Sequence, residues 1–376
     1  MKQIPKNDRM RRCRQTEAYR RRPGEDRDMK KRFSRTAGLI LTILLMCAWL
    51  GGCSAGSGQL NRYQLSSTDL FDTVTVITGF AEDEQQFRSK ADQLLKELLE
   101  WHQLCDIYHT YDGINNARTV NLNAGGEPVQ VDSRLTELLL FARELSEATG
   151  GKVDVTLGAM LREWHEARET GIQRPEEAAL PDAEALEQAM AHTGFDLLEI
   201  DPEAGTVRLT DPEASLDLGA LAKGYAAQQV CGHFEAGWLV NLGGNVCATG
   251  PKPTDGSPWI VGIQNPDGNG SDYVHAVRLE QGAVVTSGDY QRWYEVDGVR
   301  YHHLIDPETR MPGRKWRSVT ILHEDSGLAD GLSTALFLMN REEGEALLQK
   351  LGGEACWIAE DGGQYTSAGY GVRIRR

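Results

Sequence analysis

Cysteine is scarce in this chain, and its spacing excludes the common cysteine-based metal sites. The sequence holds 7 cysteines in 376 residues. None of the four that follow Cys53 stands in a C-x-x-C pair or at zinc-ligand spacing. An oxidising compartment would permit one disulfide among them, but the spacing does not pair them. We expect small buried thiols instead, at Cys105, Cys231, Cys247 and Cys356.

Several motifs of nucleotide and acyl chemistry are also missing. No G-x-G-x-x-G follows a first strand, which argues against a Rossmann flavin site. The sequence contains no P-loop, no G-x-S-x-G and no Cys/His nucleophile pattern. A covalent enzyme intermediate is therefore not expected.

Positive charge is scarce in most of the chain. The formal net charge is −15, from 40 Lys/Arg and 55 Asp/Glu. Residues 1–52 hold 14 Lys/Arg and 5 Asp/Glu, so the remainder carries 26 and 50, a net charge of −24. A region with this net negative charge does not attract nucleic acid through long-range electrostatics. A phosphate-bearing ligand would have to meet local dipoles, individual lysines or a metal.

The basic N-terminal region has the pattern of a bacterial lipoprotein signal peptide. A basic stretch at 30–35 precedes an apolar segment at 37–50, which is too short for a comfortable membrane span. The segment ends in Leu-Gly-Gly-Cys53, which resembles a lipobox. We expect residues 1–52 to be removed, with translation starting at Met29, and residues 53–60 to form a lipidated cysteine and a tether of small residues. An uncleaved anchor is the alternative.

Residues 61–376 show helical and strand patterns that interleave without regular βαβ spacing. This interleaving predicts an α+β fold with a mixed sheet in one compact domain, rather than a doubly wound nucleotide fold. The acidic stretch 166–182 contains proline and is predicted to be a surface excursion. Strands are predicted at 71–78, 195–200, 206–209, 259–263, 273–279, 284–287, 300–304, 319–322 and 356–359. Helices are predicted at 84–105, 136–148, 183–192 and 219–234, and from Gly331 and Glu342.

The segment Asp217-Leu-Gly-Ala-Leu-Ala-Lys-Gly224 places an acid, glycines and a lysine at the start of a predicted helix. Free N–H groups and the positive end of the helix dipole make such a start a natural phosphate site. Lys223 lies one turn in, within reach of a pyrophosphate oxygen. An N-cap aspartate followed by a solvated lysine is the alternative interpretation.

Asp330 and Thr334 lie four residues apart at the start of another predicted helix, so both side chains share one face. With Ser333 they form an oxygen-only cluster of the kind that magnesium prefers. An N-cap aspartate with back-bonded Ser and Thr explains the same pattern without a metal.

Two adjacent histidines end a predicted strand. Alternation along the strand puts His302 and His303 on opposite faces. A neutral imidazole at this position is a competent base near pH 7. The following Asp306-Pro307 makes a good turn, so Asp306 has a purely structural interpretation.

In this order, and with Asn241-Leu-Gly-Gly-Asn245 and Thr286-Ser-Gly-Asp-Tyr290 between them, the segments resemble the FAD:protein FMN transferases, the ApbE family of flavin-transferring lipoproteins. The resemblance runs from about Phe71 to about Gly352. It implies one compact domain with FAD in a central cleft, and Mg²⁺-dependent transfer of FMN from FAD to a Thr or Ser hydroxyl of an acceptor protein, with release of AMP.

The N-terminal signal pattern, taken with the resemblance, predicts a location and a partner. A lipid anchor at Cys53 would hold the enzyme on the membrane, facing outside the cytoplasm, where a membrane redox subunit would be the acceptor. Two other functions stay open: a metal-dependent FAD pyrophosphatase, and a lipoprotein that binds flavin without chemistry. The Asp330/Thr334 cluster argues against the second, because binding alone needs no catalytic metal.

The resemblance also assigns roles to individual residues. His303 is the implied base. Some members carry a second Asp where this chain has Ser333, and many read Met-Gly-Thr where it has Phe71-Asp72-Thr73. The implied FAD contacts are Tyr111, Lys152, Val153, Asp154, Asp217, Lys223 and Ile305. The implied magnesium ligands are the Ala220 carbonyl, Asp330, Thr334 and Ser333.

Overall fold

The chain from Gln59 onward folds as one compact unit. A computed structural model describes residues 59–268, 270 and 272–375. The predicted signal segment and Cys53 lie outside these residues. Within them, no helix combines the length and the apolar character that a membrane crossing requires.

Helices and strands alternate irregularly along the described chain. The helices are α1 (Glu84–Cys105), α2 (Ala117–Leu122), α3 (Ser133–Ala148), α4 (Gly158–Gln173), α5 (Ala183–Met190), α6 (Ala222–Cys231), α7 (Ser326–Leu338) and α8 (Arg341–Leu351). The strands are β1 (Asn61–Leu70), β2 (Thr73–Ala81), β3 (Val129–Gln130), β4 (Leu198–Asp201), β5 (Thr206–Leu209), β6 (Leu239–Leu242), β7 (Asn245–Ala248), β8 (Trp259–Gln264), β9 (Tyr273–Leu279), β10 (Gly282–Gly288), β11 (Trp293–Val296), β12 (Val299–His302), β13 (Ile305–Asp306), β14 (Met311–Pro312), β15 (Ser318–His323), β16 (Glu354–Ile358) and β17 (Gln364–Thr366).

The main sheet is antiparallel and takes strands from both ends of the described chain. Its order is β1-β2-β6-β7-β10-β15-β16-β17. Alternate residues point to opposite faces, so Val319 and Ile321 of β15 pack into the core beneath α6 and α7, while Leu322 packs with Trp259 of the β8–β9 hairpin. Both faces of the central strands are therefore buried, and the ends of these strands next to the helices position the site.

The mixed α/β class predicted from the sequence is confirmed. The four cysteines at 105, 231, 247 and 356 are buried and free, as expected. Helix α4 continues to Gln173 and so includes the first part of the stretch 166–182, before Pro175 begins a short 3₁₀ turn. Residues 172–182 are exposed or half-buried, in line with the predicted surface excursion. Helix α4 buries Met160 and Trp164 on one side only. Strand β1 was not predicted from the sequence.

Two of the helix starts that differ from the prediction lie at the site. Helix α6 begins at Ala222 rather than Gly219, because the N–H groups of Leu221 and Ala222 both donate to the Leu218 carbonyl and close a turn first. Helix α7 begins at Ser326 rather than at Gly331, with Asp325 as its N-cap. Asp330 therefore lies inside a helix and is not a cap.

Candidate active site

One cavity brings together most of the residues predicted to form the site. Its volume is about 510 Å³, within the range of roughly 300–1,000 Å³ usual for small-molecule sites. Its walls come from the β1–β2 turn, the chain after α1, helix α4, the segment leading into α6, the end of β10, the β12–β13 loop and α7. All the predicted site residues line it except Tyr111 and Ser333.

The segment before α6 forms a closed turn rather than an open helix end. Asp217 Oδ1 accepts a hydrogen bond from the Gly219 N–H (2.8 Å), and the Asp217 N–H donates to the Val155 carbonyl (2.8 Å). Burial raises the pKa of Asp217, and the Gly219 hydrogen bond offsets part of this rise. Most N–H groups predicted to bind phosphate are thus used within the protein. The Lys223 ammonium remains at the cavity, 3.3 Å from the Gly219 carbonyl.

Asp330 occupies a buried position between α6 and α7. Its side chain is 5% exposed, and Oδ2 accepts a hydrogen bond of 2.8 Å from the Gly224 N–H and lies 3.9 Å from Lys223 Nζ. Burial raises the pKa of Asp330, and Lys223 and the Gly224 N–H counteract this. A Cβ at Gly224 would lie 2.4 Å from Asp330 Cβ and 2.3 Å from the Ser326 carbonyl. Glycine is therefore required here for the two helices to approach.

The hydroxyl groups near Asp330 form a short network. Ser333 Oγ donates to the Asp330 carbonyl (2.8 Å) and lies 2.7 Å from Ser287 Oγ, which is 3.4 Å from Thr334 Oγ1. Thr334, Ser287 and Ala220 line the cavity, whereas Ser333 lies behind it. In the described part of the chain, no three His, Cys, Asp or Glu side chains cluster closely enough to hold a metal. A cation here would rest on one carboxylate and neutral oxygens.

The two adjacent histidines differ in environment, as alternation along the strand predicts. His302 is 4% exposed. Its ring donates from Nε2 to the Gly313 carbonyl (2.7 Å) and accepts at Nδ1 from the Leu304 N–H (3.2 Å). The ring also packs edge-on against Phe337, and burial lowers the pKa of His302 to about 4. His302 is therefore a neutral core residue.

His303 is only partly buried and lines the cavity. Its Nδ1 lies 3.3 Å from the Arg292 carbonyl, which also accepts the His303 backbone N–H at 3.1 Å. Because a carbonyl only accepts hydrogen bonds, Nδ1 carries the proton and Nε2 has the lone pair. Burial lowers the pKa of His303 to about 3, with further contributions from Arg292, His302, Arg168 and Lys223.

Residues 152–154 meet the β13 turn across the cavity. Lys152 Nζ lies 2.8 Å from both Asp306 Oδ1 and Glu308 Oε2. Burial lowers the pKa of Lys152, but hydrogen bonds to these two carboxylates give a net rise. Asp306 thus has an ion-pairing role in addition to its turn. Asp154 accepts hydrogen bonds from the N–H and hydroxyl of Thr156, while Val153 and Ile305 are buried at the lining.

The structure also reveals cavity residues that sequence reasoning missed. Tyr111 lies outside the lining, and its hydroxyl donates to Asp106 Oδ2 (2.7 Å). Tyr108 does line the cavity, is 50% exposed, and contacts the His165 ring with centroids 5.4 Å apart. Arg168 and Arg292 line it too. Tyr108 lies three residues before the predicted Tyr111, but the arginines could be found only by recognising α4 and the β10–β11 loop.

Comparison with known proteins agrees with this architecture. The sequence profile of the ApbE family matches residues 71–358. An FAD:protein FMN transferase of Treponema pallidum is 38% identical over 276 residues, which cover 68% of this chain and 74% of that protein. One of Vibrio cholerae is 29% identical over 314 residues, covering 82% and 90% respectively.

Solved structures show the same fold. The ApbE protein of Thermotoga maritima has a TM-score of 0.74 and 30% identity to this chain, covering 84% of it and 100% of the solved chain. The flavin transferase ApbE of Vibrio cholerae has a TM-score of 0.68 and 27% identity, also covering 84% and 100%. With the profile match over most of its length and this shared fold, the chain belongs to the ApbE family.

Proposed function

We propose that this protein is an FAD:protein FMN transferase, which moves FMN from FAD to a Thr or Ser hydroxyl of an acceptor protein and releases AMP. The relatives that bear this name support the proposal. The observation that carries it is the meeting, in one cavity, of the neutral imidazole of His303 with Lys223 and the buried carboxylate of Asp330. A proton acceptor and a charge-matched phosphate site are the two parts that phosphoryl transfer needs.

The proposed reaction is a single displacement at phosphorus. The acceptor hydroxyl loses its proton to His303 Nε2, and its oxygen forms a bond to the FMN-side phosphorus. The bond from that phosphorus to the bridging oxygen breaks, and AMP leaves with the electron pair. Lys223 offsets negative charge on the diphosphate, and positioning by the cavity walls replaces any need for a covalent intermediate.

Magnesium is part of the proposal. The Ala220 carbonyl, Asp330 and Thr334 would hold it, with Ser333 supporting Asp330 from behind through its hydrogen bond to the Asp330 carbonyl. An oxygen-only donor set fits a hard cation. The burial of Asp330 supports this fit. Among the described residues, the one cationic group near its carboxylate is the Lys223 ammonium, 3.9 Å away. When bound, Mg²⁺ would offset the negative charge of the diphosphate.

The acceptor and the location are proposed from the sequence. The basic, apolar and lipobox segments in series support a diacylated Cys53 on the membrane, facing outside the cytoplasm. A membrane redox subunit with an accessible Thr or Ser is the acceptor that this location favours. Intact-mass measurement of the membrane form should show a diacylated chain that begins at Cys53. A mass that retains residues 29–52 would contradict the anchor.

One experiment separates the three candidate functions. The protein is incubated with FAD, MgCl₂ and a membrane protein fraction, and both acceptors and nucleotides are analysed by mass spectrometry. Transfer predicts AMP release together with FMN covalently attached to a Thr or Ser. Free FMN and AMP without a modified protein would indicate a pyrophosphatase. Unchanged FAD under all metal conditions would indicate a binding protein.

A further inference from the structure

The cavity contains more positive charge than the predicted phosphate motif supplies. The N–H groups of Gly219, Leu221 and Ala222 are used in the turn before α6. They cannot bind a diphosphate without breaking those contacts. Beside the proposed magnesium, a diphosphate in this acidic protein therefore relies mainly on side-chain cations, and Lys223 is one. Two others, Arg168 and Arg292, line the same cavity.

The two arginines have different partners. Arg168 Nη2 donates to His165 Nδ1 (2.8 Å), and Glu169 lies 3.9 Å away. Arg292 is exposed at the cavity, and its guanidinium forms no hydrogen bond or ion pair with another residue of the described ranges. It lies close enough to His303 and to Asp217 to influence the pKa of both. Arg292 is thus the cation that an incoming anion can reach most freely.

The backbone of Arg292 is linked directly to the base. Its carbonyl accepts hydrogen bonds from the backbone N–H and from Nδ1 of His303. The loop is held from the other side by Asp289, whose N–H donates to the Arg317 carbonyl (3.1 Å) and whose Oδ2 lies 2.7 Å from Arg317 Nε. A well-anchored loop therefore carries both the orienting carbonyl and the guanidinium.

We propose that Arg292 is a catalytic residue of the proposed transfer: its carbonyl fixes the tautomer and orientation of His303, and its guanidinium binds the anionic diphosphate of FAD beside the attacked phosphorus. This role rests on the proposed function. The guanidinium suits it, because its planar fork matches phosphate oxygens and its charge is permanent. It would stabilise the charge that develops when the bond to AMP breaks.

The same arrangement links substrate binding to the strength of the base. The cations that face His303 are Arg292 on its loop, Arg168 on α4 and Lys223 on α6, and His302 precedes it on β12. Together with burial they keep the imidazole neutral. A diphosphate bound among these cations neutralises part of their field, so the affinity of Nε2 for the hydroxyl proton rises when FAD is present.

The test uses Arg292→Met, Arg292→Lys and a matched control on the nearby strand β12, Arg300→Met. Arg300 lies over Trp293 (4.3 Å to the ring centroid) and does not line the cavity. For Arg292→Met we expect kcat/KM for FMN transfer to fall roughly 10- to 100-fold, the usual effect of losing a charge-assisted contact. The Kd for inorganic pyrophosphate should rise about tenfold. Arg300→Met should match the wild type in both.

The pH profile distinguishes charge from a purely structural role. Removing a cation raises the pKa of His303, so the acidic limb of kcat/KM should move to higher pH in Arg292→Met and stay near the wild-type position in Arg292→Lys. All three variants keep the orienting carbonyl. The proposal would be overturned if a folded Arg292→Met kept the wild-type kcat/KM, the wild-type position of the acidic limb and the wild-type Kd for pyrophosphate. It would also be overturned if Arg300→Met lost as much kcat/KM and pyrophosphate affinity as Arg292→Met. If Arg292→Met does not fold, wild-type values in Arg292→Lys would count against the guanidinium fork.

Failure of the proposed function would look different. A wild-type protein that transfers no FMN would contradict the transferase assignment, whatever Arg292 does. The pyrophosphate titration still applies in that case. A higher Kd for pyrophosphate in Arg292→Met than in Arg300→Met would support Arg292 as a diphosphate ligand. Equal Kd values would contradict that role.

Discussion

Two walls of the cavity are built on different principles. The helix wall consists of Lys223, Asp330 and Thr334 on α6 and α7, where Gly224 lets the helices touch and the Asp330 side chain is only 5% exposed. The loop wall consists of Arg292 and His303, which lie nearer to solvent and are connected through one carbonyl. The helix wall suits groups that must keep a fixed charge in a fixed place. The loop wall suits groups that meet a second macromolecule.

The largest effect is expected at the helix wall. Asp330→Asn keeps the shape but removes the one buried carboxylate in the proposed magnesium site, so FMN transfer should fall by at least roughly 10³-fold. FAD binding should survive in part, because Lys223 and the loop wall remain. Ser333→Ala is the control and should be mild, since its hydroxyl lies behind the lining. Full activity of Asp330→Asn at the Mg²⁺ concentration used for the wild type would contradict the magnesium site that sets the helix wall apart from the loop wall.

At the loop wall, His303→Ala should slow FMN transfer by roughly 10²- to 10⁴-fold, the usual effect of losing a positioned base. The Kd for FAD should change little, because the imidazole is not required to bind the nucleotide. Steady-state kinetics with a flavin-binding titration would check both. His302→Gln is the neighbouring control. If it proves the more damaging change to kcat while stability is unaffected, the base has been assigned to the wrong histidine.

Rigidity of the helix wall is tested by Gly224→Ala. The added methyl group would overlap Asp330 and the Ser326 carbonyl, so we expect a loss of about 1–3 kcal/mol in the free energy of unfolding. Urea unfolding would measure this loss. Gly232→Ala at the end of the same helix is matched, because its new Cβ would come no closer than 3.4 Å to the Gln228 and Gln229 carbonyls. Equal stability of the two variants would show that the helices can separate freely.

The smallest effect concerns acid stability behind the loop wall. Burial lowers the folded-state pKa of His302 to about 4, from the ordinary histidine pKa of 6.5. The unfolded chain therefore binds a proton first, and the stabilisation from neutral His302 is complete above pH 6.5 and is lost as the pH falls towards 4. This loss should reach about 2 kcal/mol by pH 5. His302→Gln cannot titrate, so its urea midpoint should depend less on pH over this window. An identical pH dependence would contradict the burial of His302.

Much of the site could be predicted from the sequence because its motifs are local. The errors in the prediction come from packing between residues that are distant in sequence. The order of the motifs was enough to identify the family, and strand alternation correctly separated His302 from His303. The start of α6 was misplaced because a turn closed by the Leu218 carbonyl resembles a helix start in sequence. The resemblance assigned Tyr111 to the FAD site, whereas the folded chain shows that the Tyr108 ring lines the cavity. Arg168 was missed together with α4, whose polar residues hide its apolar side.

The close contact at Gly224 has a consequence for the order of events during turnover. The space between α6 and α7 does not admit even a methyl group at this point, so in this packing a dinucleotide cannot enter between the two helices. We expect FAD to enter and AMP to leave through the more exposed side that contains Arg292 and His303. FAD would then have to bind before the acceptor protein covers that side, and AMP would have to wait until the modified acceptor departs. An acceptor supplied in large excess should consequently slow turnover rather than accelerate it.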